Sequence, residues 1–142
     1  MGVFDVLCMK GVYVVSFLVV ESCCIEVGAL GEVEFGSGLY GYVGSAMGAG
    51  GVESRVGRHL ETGLGQTESL FWHIDYVLDD SSVEVVGVWV SDSFGECELA
   101  GELGVELDGV LGFGVSDCGC ESHLFAGDVI SCCEGLGLSK WE

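Results

Sequence analysis

The longest unbroken apolar stretch runs from Gly11 to Val20 (GVYVVSFLVV) and is rich in Val, Tyr and Phe. A run of this length and composition predicts a strand buried on both faces, the centre of a sheet. It falls well short of the roughly 20 residues that a bilayer span requires. Ile25–Val27 predicts a weaker strand, and Leu30–Phe35 (LGEVEF) alternates apolar and acidic positions as a strand with one wet face does. Gly36-Ser37-Gly38 then turns the chain into Leu39–Ser45, a second strong strand returning antiparallel to the first. Beyond a Gly-rich loop at Gly48–Gly51, the positions Val52, Val56, His59 and Leu60 recur at helical spacing and set Arg55 and His59 four apart on one helix.

Further along, Leu70–Leu78 (LFWHIDYVL) reads as a helix through Ile74, Val77 and Leu78, with a strand as the alternative, and Val83–Val90 (VEVVGVWV) is a strand pattern. Leu99, Leu103 and Leu107 form one apolar stripe along a helix over Glu96–Leu107. A Gly-rich loop leads to Ser116-Asp117-Cys118-Gly119-Cys120-Glu121-Ser122-His123, followed by a short strand at Leu124–Ile130. The mixture predicts an α+β domain over residues 1–131, with residues 132–142 as a loosely held tail. No internal repeat is visible.

With 142 residues, 49% apolar and 19% charged, the chain is long and apolar enough for one compact domain. Charge changes the picture. Twenty-three acidic residues against four basic ones give a formal charge of -19, which strains a compact state by self-repulsion unless salt screens it. A halophilic cytoplasm is the plain setting for such a chain. The same charge disfavours partners that bind through a basic surface, nucleic acid among them. Residues 1–9 contain no basic residue and include Asp5, so the charged start of a secretory signal is not expected. Eight cysteines, two vicinal pairs among them, read as reduced or metal-bound thiols rather than a disulfide scaffold.

Two of the four basic residues, Arg55 and Arg58, stand three apart beside His59. Gly11-Val12-Tyr13 and Tyr42-Val43-Gly44, followed by Arg55 on the next helix and an acidic residue on a later one, resemble the GIY-YIG nuclease pattern. The blocks IEVGALGEVEF, YGYVGSA, GVESRVGRHL, FWHIDYVL, ECELA and GFGVSDCGCESHLF resemble, more specifically, the archaeal Uri endonuclease family, once classed as a domain of unknown function. The resemblance spans about Lys10 to Phe125. The chain departs from those relatives in having glycines where they have prolines, and Gln66, Thr67 and Glu68 where they have basic residues before the WHIDY block. What the resemblance implies is a small, mainly antiparallel three-stranded sheet flanked by helices, and a metal-dependent endonuclease that hydrolyses DNA phosphodiester bonds in repair, with Mg²⁺ or Mn²⁺ and a repair partner.

The residues can be matched to that chemistry. Arg55 has the planar, permanently charged fork that suits a phosphate. Glu96 occupies the position of the family's acidic magnesium ligand, with Glu98 as runner-up; an acid at a helix start also favours the helix by itself. Tyr13 and Tyr42 are the candidate water activators, and a phenol with a pKa near 10 needs a neighbour such as Arg55, His59 or a metal to act near neutrality. His59 either accepts the phenolic proton or packs on the helix. Arg58, His73 and Asp75 are candidate substrate-binding residues; His73 and Asp75 either orient a ligand or satisfy each other in the core. Cys97, Cys118, Cys120 and His123 offer either a Cys₃His set suited to a structural zinc or, since lone cysteines mostly serve as small apolar residues, plain core positions. A second function class fits the charge: a non-catalytic acidic interaction module or DNA mimic, with or without that zinc.

Overall fold

The computed structural model describes residues 11–46, 57–59, 73–110, 113 and 122–140. Its centre is β1 (Gly11–Val19), buried along its length because its β-branched and aromatic side chains have cover on both faces. β4 (Gly38–Ala46) pairs with it antiparallel on one side, Tyr13 opposite Gly44 and Val15 opposite Tyr42. β5 (Val83–Ser91) pairs antiparallel on the other, with a register shift between Ser16 and Phe17 that leaves Val86 as an exposed extra residue.

Between β1 and β4 the chain makes a separate hairpin of β2 (Cys23–Val27) and β3 (Gly31–Phe35), joined by a 3₁₀ turn at Gly28–Leu30. Gly28 and Gly31 take positive φ of 45° and 85°, which a side chain would strain. Ile25, Val27 and Phe35 turn inward, while Glu26, Glu32 and Glu34 face water.

The mixed α+β class and the antiparallel pairing agree with expectation. The strand count does not. The main sheet has six strands, in the order β6-β7-β4-β1-β5-β8, where three were expected. β6 (Asp108–Gly109) and β8 (Ser139–Lys140) are two residues long, too short for any alternation to register, and β7 is Leu124–Ala126. They exist because neighbouring strands offer open edges to pair with, β8 on β5 and the β6–β7 pair on β4.

Helices close both faces. On the face of Tyr13, Val15 and Phe17, the helix α1 (His73–Leu78) buries Ile74, Val77 and Leu78 together with the β2–β3 hairpin. On the face of Val12 and Val14, α2 (Glu96–Glu106) buries Leu99, Ala100 and Leu103, and α3 (Val129–Gly135) buries Val129 and Cys133. The strand expected over Leu124–Ile130 stops at Ala126 because Asp128 caps α3, its Oδ1 accepting from Ser131 N at 3.3 Å. Residues 132–140, expected as a loose tail, complete α3 and β8, with Cys133 and Leu138 buried. Among the described residues no helix is long and apolar enough to cross a membrane.

Candidate functional site

The parity of two neighbouring strands puts Tyr13 and Tyr42 on one face of the sheet, diagonal to each other in the β1–β4 register. Residues 57–59 are helical and bring His59 onto that face. Tyr13 Oη lies 2.7 Å from His59 Nε2, and the ring centroids are 5.3 Å apart. Tyr42 meets the same imidazole edge-on at 6.1 Å and meets Phe113 edge-on at the same distance. Tyr13 and His59 are each 1% exposed. A hydrogen bond between a phenol and an imidazole in such a setting gives the phenolic proton an acceptor without solvent competition.

Gly44 makes this arrangement fit. A Cβ there would stand 2.4 Å from both Cζ and Oη of Tyr13, so the ring occupies the space a side chain would take. The sequence carries the signal, a glycine two residues after Tyr42 inside a strong strand, but periodicity alone does not say which ring fills the gap.

Arg58 Nη2 lies 2.6 Å from Oδ2 of Asp75, whose side chain has no exposure. These two of the expected substrate-binding residues therefore meet each other, the α1 carboxylate holding the guanidinium that precedes His59. His73 opens α1. Arg55, the expected phosphate clamp, lies outside the described residues, as do Cys118 and Cys120.

Glu96 is placed by a different helix on a different face. It starts α2, whose buried side chains pack against Val12 and Val14, and its Oε1 lies 3.4 Å from Nδ1 of His123. The other nitrogen of that ring, Nε2, lies 3.8 Å from Cys97 Sγ. Glu98 caps its own helix, accepting from Gly95 N at 3.3 Å. The structure thus brings Tyr13, Tyr42 and His59 together, Arg58 with Asp75, and Glu96 with Cys97 and His123.

Magnesium, the ion that the nuclease resemblance implies, takes hard oxygen donors in octahedral array. Glu96 offers one partly exposed carboxylate, with an imidazole nitrogen 3.4 Å from its Oε1, and a single carboxylate is enough for an ion that keeps most of its waters. Of the other cysteines, Cys23, Cys24, Cys132 and Cys133 are free thiols.

Comparison with family models matches residues 12–136 to a domain of unknown function, DUF123. Comparison with curated proteins and with solved structures found no match.

Proposed function

The chain belongs to the DUF123 family, whose description leaves its activity open, and we propose that it is an endonuclease hydrolysing DNA phosphodiester bonds, of the GIY-YIG kind and close to the Uri endonucleases. The observation that carries the reading is the 2.7 Å hydrogen bond between Tyr13 Oη and His59 Nε2, with Tyr42 against the same imidazole. The two tyrosines come from the GVY and YVG elements, and the histidine from the segment that also carries Arg55 and Arg58.

In this reading His59 takes the proton of Tyr13 as the phenol oxygen takes one from the attacking water. The water oxygen forms its bond to phosphorus, and the leaving sugar oxygen collects a proton from solvent. Tyr42 fixes the plane of the imidazole. Asp75 holds Arg58, and Arg55 supplies the planar cation for the charge that builds on the phosphate oxygens. With four basic residues in 142, DNA is held mainly by backbone amides and stacking, in salt high enough to screen the acidic surface.

The test is cleavage of supercoiled, linear, single-stranded and branched DNA by the purified chain, with Mg²⁺ or Mn²⁺ and across a salt series. The parent is expected to cut at least one form, and Tyr13→Phe and Arg55→Lys to lose about 100-fold or more. Failure of the parent on every form overturns the reading. The second reading, an acidic interaction module without catalysis, is favoured by one observation: at 1% exposure each, Tyr13 and His59 resemble core residues that satisfy one another. It predicts that both variants leave partner binding intact.

A further inference from the structure

His123 stands where three segments of the chain meet, and it is 1% exposed. Its main chain belongs to the tyrosine side. The carbonyl oxygen accepts from Val43 N at 2.8 Å, carrying the β4–β7 ladder one residue past the Tyr42–Leu124 pair, and the N–H donates to Phe113 O at 2.9 Å. Phe113 is the ring that meets Tyr42 edge-on. The imidazole belongs instead to the start of α2, with Nδ1 3.4 Å from Glu96 Oε1 and Nε2 3.8 Å from Cys97 Sγ. An ionised carboxylate only accepts, so the imidazole proton sits on Nδ1 and Nε2 is left to the thiol. Ser122 stiffens the junction, its Oγ accepting from Leu124 N at 2.9 Å and donating to Leu124 O at 2.8 Å.

We propose that His123 is the positioning residue of the Glu96 carboxylate, fixing it in relation to the strand of Tyr42. The inference rests on the nuclease reading, in which Glu96 is the carboxylate for Mg²⁺. That reading needs two parts of the fold held together: Tyr13 and Tyr42 pack in one buried cluster, while α2 packs Leu99, Ala100 and Leu103 with Val12 and Val14 in the other. Glu96 is the first residue of α2, and a long, rotamer-rich side chain there keeps one orientation only if something holds it. His123 does so from a main chain already bonded to the residue after Tyr42. The Glu96 side chain is 28% exposed, so the imidazole holds it while an ion with its waters still reaches it. Carboxylates that ligate a metal are generally held by a donor behind them in this way.

The experiment is Mn²⁺ binding to the full chain, read from the electron spin resonance of the free ion, for the parent, Glu96→Gln, His123→Phe and His123→Asn. With 23 acidic residues the surface also takes up the ion, so the site is counted as the binding that Glu96→Gln removes. Phenylalanine fills the space of the ring without a donor, whereas asparagine sets an amide N–H where Nδ1 stands. Both keep the main-chain bonds to Val43 and Phe113. His123→Phe is expected to bind Mn²⁺ at this site about 10- to 100-fold more weakly than the parent, and His123→Asn to recover most of the loss. A purely structural role gives the opposite order, since asparagine leaves the larger gap. Equal affinities in parent and His123→Phe, an asparagine variant no better than phenylalanine, or a parent with no site that Glu96→Gln removes each overturn the inference. A parent that cleaves no form of DNA while the affinities keep the expected order strikes the nuclease reading and leaves the role of His123 in place. Should His123→Phe fail to fold, nitrogen NMR of the parent imidazole decides: a proton on Nδ1 is expected, and one on Nε2 overturns the assignment.

Discussion

Arg58 reaches Asp75 across 17 residues of chain, placing Nη2 2.6 Å from Oδ2 of a carboxylate that has no solvent exposure. One of the four basic residues is thus committed to neutralising a buried acid on α1. Breaking such a pair from one side leaves the other charge buried, which costs far more than the pair contributes as a whole. Arg58→Met is therefore expected to lower stability by about 3 kcal/mol, and Arg58→Met with Asp75→Leu to recover most of it. Chemical denaturation of the two single variants and the double gives the coupling directly. Additive effects would show the two charges to be independent.

Gly44 is expected to be intolerant of even one carbon. The Cβ of alanine would stand 2.4 Å from Cζ and Oη of Tyr13, and that ring is 1% exposed and packed within the buried cluster of its face. Gly44→Ala should cost about 2 kcal/mol and should weaken the Tyr13–His59 hydrogen bond, so any cleavage activity falls with it. A melting curve equal to that of the parent would mean that the Tyr13 ring lies elsewhere.

Alkaline pH is expected to destabilise the protein through Cys133. Burial, with the charges of Cys132 and Glu134 adding to it, pushes this thiol from 9.0 up to about 12. Between those values the unfolded chain releases the proton and the folded chain keeps it. The contribution is therefore fully present below pH 9 and is lost as pH rises toward 12, at no more than about 1.4 kcal/mol per pH unit. Cys133→Ala is less stable at neutral pH because of the cavity it leaves, yet its stability should decline less steeply over this range. Urea titrations at a series of pH values measure the slope, and equal slopes in both proteins would contradict the assignment.

Salt should stabilise the fold, because 23 acidic residues face 4 basic ones and screening removes repulsion without weakening apolar burial. Part of the effect has an address. Glu26 lies directly opposite Glu32 in the β2–β3 register, and like charges in that relation destabilise a hairpin. The melting temperature is expected to rise from about 0.1 M to above 1 M salt, and Glu26→Lys to raise it more in low salt than in high. A parent whose melting temperature is flat or falls across the series would rule out a fold adapted to strong salt.

Several elements were readable because their cause is local. The apolar run of β1, the alternation in β3, the strength of β4 and β5 and the leucine stripe of α2 each follow from side chains within one segment. Tyr13 and Tyr42 were legible as a pair on neighbouring antiparallel strands, but their shared face was set by the register, which puts Gly44 opposite Tyr13 and Tyr42 opposite Val15. Others had no local cause to read. β6 and β8 are two residues each and owe their form to the strand beside them, and α3 begins where Asp128 caps it, in a stretch whose composition suits a strand.

The sequence by itself determined the α+β class, the central strands, the tyrosine pair on two neighbouring strands and a charge that needs screening. Only the tertiary structure decided which partner each polar side chain meets: His59 with Tyr13 across 46 residues of chain, Arg58 with Asp75, and His123 between Glu96 and Cys97. The physical reason is the range of the forces. Periodicity reports how one segment divides between core and water, while a hydrogen bond or ion pair depends on how separate segments come to rest against each other. That docking is set by packing on two sides of the sheet, where α2, which opens on Glu96, buries Leu99, Ala100 and Leu103 on the face opposite Tyr13.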